Sequence, residues 1–527
     1  MGPLLRFLLL PGSGVLFGLA FPRTAWWPLS LVSLIPLLLS MSRRGTAPPS
    51  VAGLAWGAGF FGVLLSWLYG FFRHYGQLNP LLSLATLAIL VAYLSLFPGL
   101  FAHFGSLLLR RHGTAALGLL PALWVALEWV RGHALGGFPW GLAGYSLVPW
   151  LPLVQISSVT GVYGVSFLVI VANVAGAAWI DRPPGRWRTA GSLSAAAVLL
   201  FAGALAFGHR EMSLPAGDGP AVTVGLIQAS VPQDEKWSPG AAREILEKHV
   251  RLTGEAAAAG ARLILWPESS SPFPLSHPVQ EEGRPGVAPD HPYRERMESL
   301  SRRNGASLLF GTVDYRRVGE DVRPLNAAAL IRPDGSWGQT YAKMHLVPFG
   351  EYVPLAPILG FVNRMAQGAI GDFVPGGKAV VVPSEGLSVG TGICYEMIFP
   401  ELVRRFPGRG ADLLANLTND AWFGTSSGPY QHFQMAVLRA VENRRYLVRA
   451  ANTGISAIVD PRGRILVRTR LEETRVLTGK VSPVRSRTVY TRAGDVFPIL
   501  CVILAAAALA AGSAAIPRSI RGKKVGD

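Results

Sequence analysis

Three side chains of different chemistry, Glu268, Lys343 and Cys394, each close a strand-like run within one polar stretch of the chain. The run Leu263-Ile264-Leu265-Trp266-Pro267 ends at Glu268, where the proline turns strand into loop. Residues Tyr341 to Pro354 carry Lys343 and Glu351 among apolar and aromatic neighbours, and residues Leu387 to Glu396 carry Cys394. A thiol needs a base before it attacks, and a partly buried carboxylate with a raised pKa supplies one, the role expected of Glu268. Acyl transfer passes through an oxyanion, which the fixed ammonium of Lys343 stabilises. Cys394 then carries the acyl group as a thioester and yields it to a second nucleophile. Glu351 and Glu396 are expected to orient Lys343 or to move protons. Tyr395, Trp237, Asn419 and Phe423 are expected to shape an acyl pocket, with core packing as the plainer alternative for the aromatics.

A lone cysteine is by default a small buried hydrophobe. The setting of Cys394 argues for more, because the hydrophobic runs around its polar stretch place it outside the cytoplasm, where an unpaired thiol has no stapling role. The only other cysteine, Cys501, lies in an apolar run. With 527 residues, 50% hydrophobic and 15% charged, and a mean hydropathy of +0.33, the chain is too apolar for an ordinary soluble protein and too long for one domain.

Uncharged stretches approaching the ~20 residues that cross a bilayer occur at Leu4 to Phe21, Trp27 to Met41, Val51 to Phe72, Leu81 to Phe101, Thr114 to Val130, Gly161 to Ile180, Thr189 to Gly208 and Val496 to Ala515. If the N-terminus is inside, the cytoplasmic segments carry Arg6, Arg43, Arg44, Arg110, Arg111, Arg182, Arg186, Arg188, Arg518, Arg521, Lys523 and Lys524. The short external segments carry only Arg23, Arg73 and Arg131. Positive residues stay inside, so eight spans with both termini cytoplasmic are expected. The domains expected are then 1–208 with seven spans, 209–495 outside, and 496–527 with the eighth span and a tail. The net charge of +17 serves this topology, and no basic-aromatic module suggests nucleic acid.

Within the external segment, strand candidates alternate with helix candidates. The strands are Ala221 to Gln228, Arg262 to Pro267, Ser307 to Val313, Asn326 to Arg332, Val380 to Pro383, Leu387 to Cys394, Asp412 to Leu417, Tyr446 to Ala451 and Ser456 to Pro461. The helices are Pro239 to Ala259, Pro292 to Asn304, Phe399 to Phe406 and Tyr430 to Arg445. Asp334-Gly335 reads as a hairpin turn. This alternation predicts an α/β domain with helices covering sheets. Two long loops interrupt it, Phe273 to Asp290 and Leu355 to Pro375, and the second, with Leu359, Phe361, Val362 and Met365, is expected to cover a lipid-sized pocket or touch lipid. No metal-ligand spacing and no phosphate-binding glycine loop appears, so no cofactor is expected.

The order Glu, Lys, Cys with these flanks resembles the nitrilase, or carbon-nitrogen hydrolase, superfamily. The run Lys343 to Pro354, Cys394-Tyr395-Glu396 and Leu417 to Gly424 resemble one membrane branch of it, the apolipoprotein N-acyltransferases. Glu128-Trp129-Val130-Arg131, Gly137-Phe138-Pro139-Trp140 and Gly161 to Phe167 carry the likeness into the membrane half. The resemblance implies an αββα sandwich with Glu268, Lys343 and Cys394 as its triad. It implies a phospholipid acyl donor, the amine of a diacylated apolipoprotein as acceptor, and a bacterial inner membrane with the catalytic domain on the periplasmic side. A tethered amidase using water as acceptor is the alternative. Glu128 and Arg131, three apart on a helix, are expected to pair with each other or to bind a lipid headgroup.

Overall fold

The computed structural model describes residues 3–42, 48–181, 187–236, 240–271, 274, 292–319, 321–353 and 372–511. Trp237, the apolar loop residues Leu359, Phe361, Val362 and Met365, and nearly all of the loop 273–290 lie outside the described residues.

Up to Ser213 the described chain is built from helices. Three stretches, Pro80–Gly136, Val162–Ile180 and Trp187–Ser213, are long and apolar enough to cross a membrane by length and composition. A fourth exists if Pro49–Leu64 and Leu68–His74, bent by 58°, count as one broken span. The other expected spans give shorter helices among the described residues: Leu9–Leu19, Trp27–Met41 and Val496–Ala511. The second is short because Trp27–Leu31 is a 3-10 turn and only Ile35–Ser42 is α-helical. The fifth follows the long helix Pro80–His112 through Gly113, whose φ of +57° a residue with a Cβ tolerates poorly, and Leu120–His133 packs back on that helix. Glycines bring the helices close. A Cβ on Gly53 would stand 2.1 Å from the carbonyl oxygen of Pro98, a small-residue contact typical of lipid-facing bundles.

Glu128 and Arg131 are both buried, and the structure assigns them to the chain rather than to each other. Arg131 donates to the carbonyls of Phe138 at 3.0 Å, Trp140 at 2.6 Å and Gly141 at 3.4 Å, while Glu128 Oε1 accepts the Ala143 N–H at 2.7 Å. Both therefore brace the segment 138–143, a buried loop whose polar backbone groups would otherwise lack partners.

The α/β domain contains two six-stranded sheets. The strands of the first are β1 (Val222–Gln228), β2 (Leu263–Leu265), β3 (Ser307–Val318), β4 (Asp321–Ile331), β5 (Tyr341–Ala342) and β12 (Arg475–Val481), in the order β12-β1-β2-β3-β4-β5. The second contains β6 (Val381–Ser384), β7 (Leu387–Ile393), β8 (Leu413–Thr418), β9 (Tyr446–Ala451), β10 (Ala457–Val459) and β11 (Ile465–Arg468), in the order β11-β10-β9-β8-β7-β6. Each sheet has a parallel triplet, β1-β2-β3 or β7-β8-β9, extended by antiparallel strands on both sides. The two halves thus share one topology although no internal sequence repeat announces it.

Alternation along the strands decides what each face covers. Leu226, Leu263, Leu265 and Leu309 join the core shared with Val389, Ala415 and Val448 of the second sheet. Their neighbours Ile227, Ile264, Leu308 and Phe310 pack instead with Ile245, Leu252, Met297 and Leu300 of the helices Ala242–Ala258 and Pro292–Asn304. On the second sheet the helix Gly428–Asn443 provides the cover. This is the expected αββα layering. The Asp334-Gly335 turn is present, with Gly335 at φ +82° and Ile331 bridged to Trp337. Strands β11 and β12 were not expected from the sequence: β12 carries Arg475 and Lys480 at its exposed positions, and β11 is a four-residue, largely exposed strand although Ile465, Leu466 and Val467 are apolar.

Candidate active site

Glu268 follows β2, Lys343 follows β5 and Cys394 follows β7, so each leaves the carboxyl end of a strand. All three side chains are buried. Lys343 Nζ stands 3.3 Å from Glu268 Oε1 and 2.9 Å from the Glu351 carboxylate, and the Cys394 thiol lies within hydrogen-bonding reach of Glu268. The structure thus brings the three residues together, with Glu351 on the far side of the ammonium.

Glu268 is bound by more donors than the sequence suggests. Asn326 Nδ2 donates to its Oε1 at 2.8 Å and also to Glu351 at 2.7 Å, and the Asn419 N–H donates to its Oε2 at 2.9 Å. Lys236, itself buried, donates to the Glu268 carbonyl oxygen at 2.9 Å. Burial pushes the Glu268 carboxyl up, but Lys343, Asn326 and Lys236 together outweigh it and hold the group below its ordinary value. The raised pKa expected from the sequence is therefore corrected: Glu268 is an ionised carboxylate at rest. Burial and the Glu268 charge push the Cys394 thiol well above its ordinary range, so the resting nucleophile is a neutral thiol beside an anionic base. Burial opposes the Lys343 ammonium, yet Glu351 and Glu268 outweigh it and hold the lysine charged.

These directions fix the sign of a pH effect. A base whose pKa is depressed stays competent until pH falls through that depressed value, so thioester formation is expected to be flat across neutral pH and to decline only below the usual carboxylate range. Stopped-time measurement of acyl-enzyme against pH checks this; an acid limb centred near neutrality would contradict it.

Gly311 on β3 makes the close approach possible. A Cβ there would meet Glu268 Cα and the Pro267 oxygen at 2.5 Å and the Ser269 nitrogen at 2.6 Å, all main-chain atoms that cannot swing away. Gly311→Ala is expected to displace Glu268 and to cut the rate of thioester formation by roughly 10²-fold, which a single-turnover assay on the purified variant would read.

Glu396 does not touch the Lys343 ammonium. Its Oε1 accepts the Tyr341 hydroxyl at 2.7 Å and the N–H groups of Met344 at 2.7 Å and His345 at 3.2 Å, and its Oε2 accepts the Ile393 N–H at 2.7 Å. It therefore ties the turn carrying Lys343 to the turn carrying Cys394. Burial pushes its carboxyl up to about 7 against the pull of these donors. Tyr395 packs on Phe399 at 5.2 Å and on His345 at 6.0 Å. His345 is held down to about 4 by burial and by Lys343, which keeps it neutral. The Asn419 side chain is bonded to Gln233 and Asn452, leaving its backbone to serve Glu268. Phe423 packs edge-on against Trp67, in the break between the helices Pro49–Leu64 and Leu68–His74, and against Trp140 of the buried loop 138–143. Among the described residues no cluster of His, Cys, Asp or Glu could hold a metal ion.

Asn326 and Lys236 were missed by sequence reasoning. A buried Asn inside the apolar run Leu325 to Ile331 is a legible signal, since such a group must find a partner. Lys236, in a polar loop, carries none.

Residues 13–175 match the apolipoprotein N-acyltransferase N-terminal domain, and residues 223–490 match the carbon-nitrogen hydrolase family. The curated apolipoprotein N-acyltransferase of Geobacter metallireducens is 39% identical, over 94% of this chain and 92% of its own length. The chain belongs to the apolipoprotein N-acyltransferase family. Another family member, from Nitrosomonas europaea, is 34% identical over 92% of this chain and 94% of its own. An amidase from Nesterenkonia sp. resembles the α/β part at 21% identity, covering 52% of this chain and 93% of its own, with a TM-score of 0.37. The two matches put the acyltransferase N-terminal domain on the helical part of this chain and the carbon-nitrogen hydrolase domain on its α/β part.

Proposed function

We propose that the chain transfers a fatty acyl group from a membrane phospholipid to the N-terminal amine of a diacylglyceryl-cysteine lipoprotein, through a thioester on Cys394. Glu268 takes the thiol proton as sulfur attacks the ester carbonyl, and Lys343 faces the oxyanion that forms. The C–O bond breaks, the lysophospholipid oxygen takes the proton from Glu268, and the acyl group stays on sulfur. The lipoprotein amine then attacks the thioester and gives its proton to Glu268. The C–S bond breaks, and the thiolate recovers that proton as thiol. Glu351 keeps the lysine in place through both halves.

The observation that carries this reading is the buried cluster of Glu268, Lys343 and Cys394 in a chain whose relatives bear the acyltransferase name. The positive residues at the span ends support eight spans divided as 1–208, 209–495 and 496–527, in a bacterial inner membrane with the catalytic domain on the periplasmic face. A nucleophile beside the outer face meets two lipid substrates without either leaving the bilayer. The test uses a phospholipid with a labelled acyl chain and a diacylated lipopeptide. Label is expected on the peptide amine, and release of ammonia from small amides without lipid would favour the amidase instead.

A further inference from the structure

Cys394 has a φ of +48°, the left-handed region that a residue with a side chain occupies only when its surroundings hold it there. Its carbonyl oxygen points at the helix Gly428–Asn443, where His432 Nε2 lies 3.1 Å away. A carbonyl oxygen only accepts, so Nε2 carries the proton and donates. The other ring nitrogen faces Asp420 Oδ1 at 3.0 Å and Arg449 Nη2 at 3.2 Å. Arg449 also binds Asp420 Oδ2 at 2.7 Å, and the Thr418 hydroxyl donates to Asp420 Oδ1 at 2.9 Å while lying within hydrogen-bonding reach of the Cys394 thiol. His432, Asp420, Arg449 and Thr418 are fully or almost fully buried, and the mechanism above uses none of them.

We propose that His432 is a positioning residue for the acyl transfer: its Nε2–H holds the main chain of Cys394 in the left-handed turn that aims sulfur between Glu268 and Lys343, and the Asp420–Arg449 pair holds the imidazole. The inference rests on Cys394 as nucleophile. The strained turn follows directly on β7, whose ladder with β8 reaches Ile393, so past that residue the sheet no longer fixes the backbone. Glu396 anchors the Ile393 N–H on one side of the turn, and His432 anchors the Cys394 carbonyl on the other. Two bonds therefore bracket the dipeptide Ile393-Cys394. A burial role alone would make any polar group at position 432 adequate, whereas positioning demands a donor at the reach of Nε2.

Two substitutions separate these roles. A glutamine places its amide nitrogen at the reach of Nε2, and an asparagine places it at the reach of Nδ1. The full-length protein in detergent, with phospholipid alone, is followed by intact mass for the growth of the Cys394 acyl adduct, each variant normalised to its monodisperse, cooperatively unfolding fraction. His432→Gln is expected to form the adduct within about tenfold of the parent rate, and His432→Asn about 10²-fold more slowly, as a misplaced nucleophile predicts. The apparent KM for phospholipid is expected to stay unchanged in both, because the loss lies in attack and not in binding. Equal rates for the two variants, or a faster asparagine variant, would overturn the inference. Failure of the parent protein to form any Cys394 adduct would instead overturn the acyltransferase mechanism on which it rests.

Discussion

Cys394→Ala is expected to abolish the one-acyl mass increase that the parent protein shows with phospholipid and to reduce lipopeptide acylation by at least ~10⁴-fold, the scale at which a removed nucleophile leaves only binding and oxyanion contacts. The reason is specific to this site. Among the described groups that touch Glu268, Cys394 alone offers a thiol: the other close partners are Asn326, Lys343 and the Asn419 backbone, and Lys236 donates to its main chain. The substitution removes one buried sulfur without leaving a charge unpaired, so the folded structure is expected to survive, with thermal unfolding close to that of the parent. An alanine variant that still gained acyl mass would show that another atom carries the chain, and the thioester scheme would fail.

Lys343→Ala is expected to be nearly as damaging, by a different route. The ammonium bridges two carboxylates, the buried Glu268 and the partly buried Glu351, that share Asn326 Nδ2 as a donor. Without it, two anions face each other away from water, and one of them must take a proton. The oxyanion loses its cation, worth roughly 10²–10³ in rate, and the base loses its charge at neutral pH. The two losses overlap, so a combined fall of ~10³-fold or somewhat more is expected rather than their product. The pH profile carries the signature. Removing the cation raises the Glu268 pKa, so the residual rate should climb with pH through a range in which the parent is flat. A variant with a flat profile, or within tenfold of the parent, would remove Lys343 from the mechanism.

Glu268 and Cys394 were legible because each follows a strand whose apolar run is plain in the sequence, and all three reactive side chains because their flanking motifs resemble a known family. Their electrostatics were not. Glu268 looked like a carboxyl raised by burial, and only the fold shows that Lys343, with Asn326 from β4 and Lys236 from a distant loop, reverses the sign. Glu396 was expected to orient Lys343 or to move protons because it flanks Cys394, yet it accepts the Tyr341 hydroxyl and three main-chain N–H groups and holds a turn. Alternating strand and helix runs pointed to an α/β domain, the sandwich itself came from the family resemblance, and β11 escaped as a four-residue edge strand whose apolar Ile465, Leu466 and Val467 are largely exposed. Arg131 was expected to pair with Glu128 or to bind a lipid headgroup, whereas its hydrogen-bond partners are carbonyls that no pattern of side chains reveals.

The helix Gly428–Asn443 is buried along every residue but Tyr430. On one side His432 reaches the nucleophile, and next to it Gln431 accepts from Trp140 Nε1 at 2.7 Å and donates to the carbonyls of Pro22 and Leu64. Further along, Glu442 accepts the Val162 N–H at 2.9 Å and pairs with Arg439. The hydrolase-like half is consequently not a module that can be excised or grafted onto another anchor. Cutting it free would strand a charged pair and an apolar strip in water, and would unseat the helix on which the reactive turn leans.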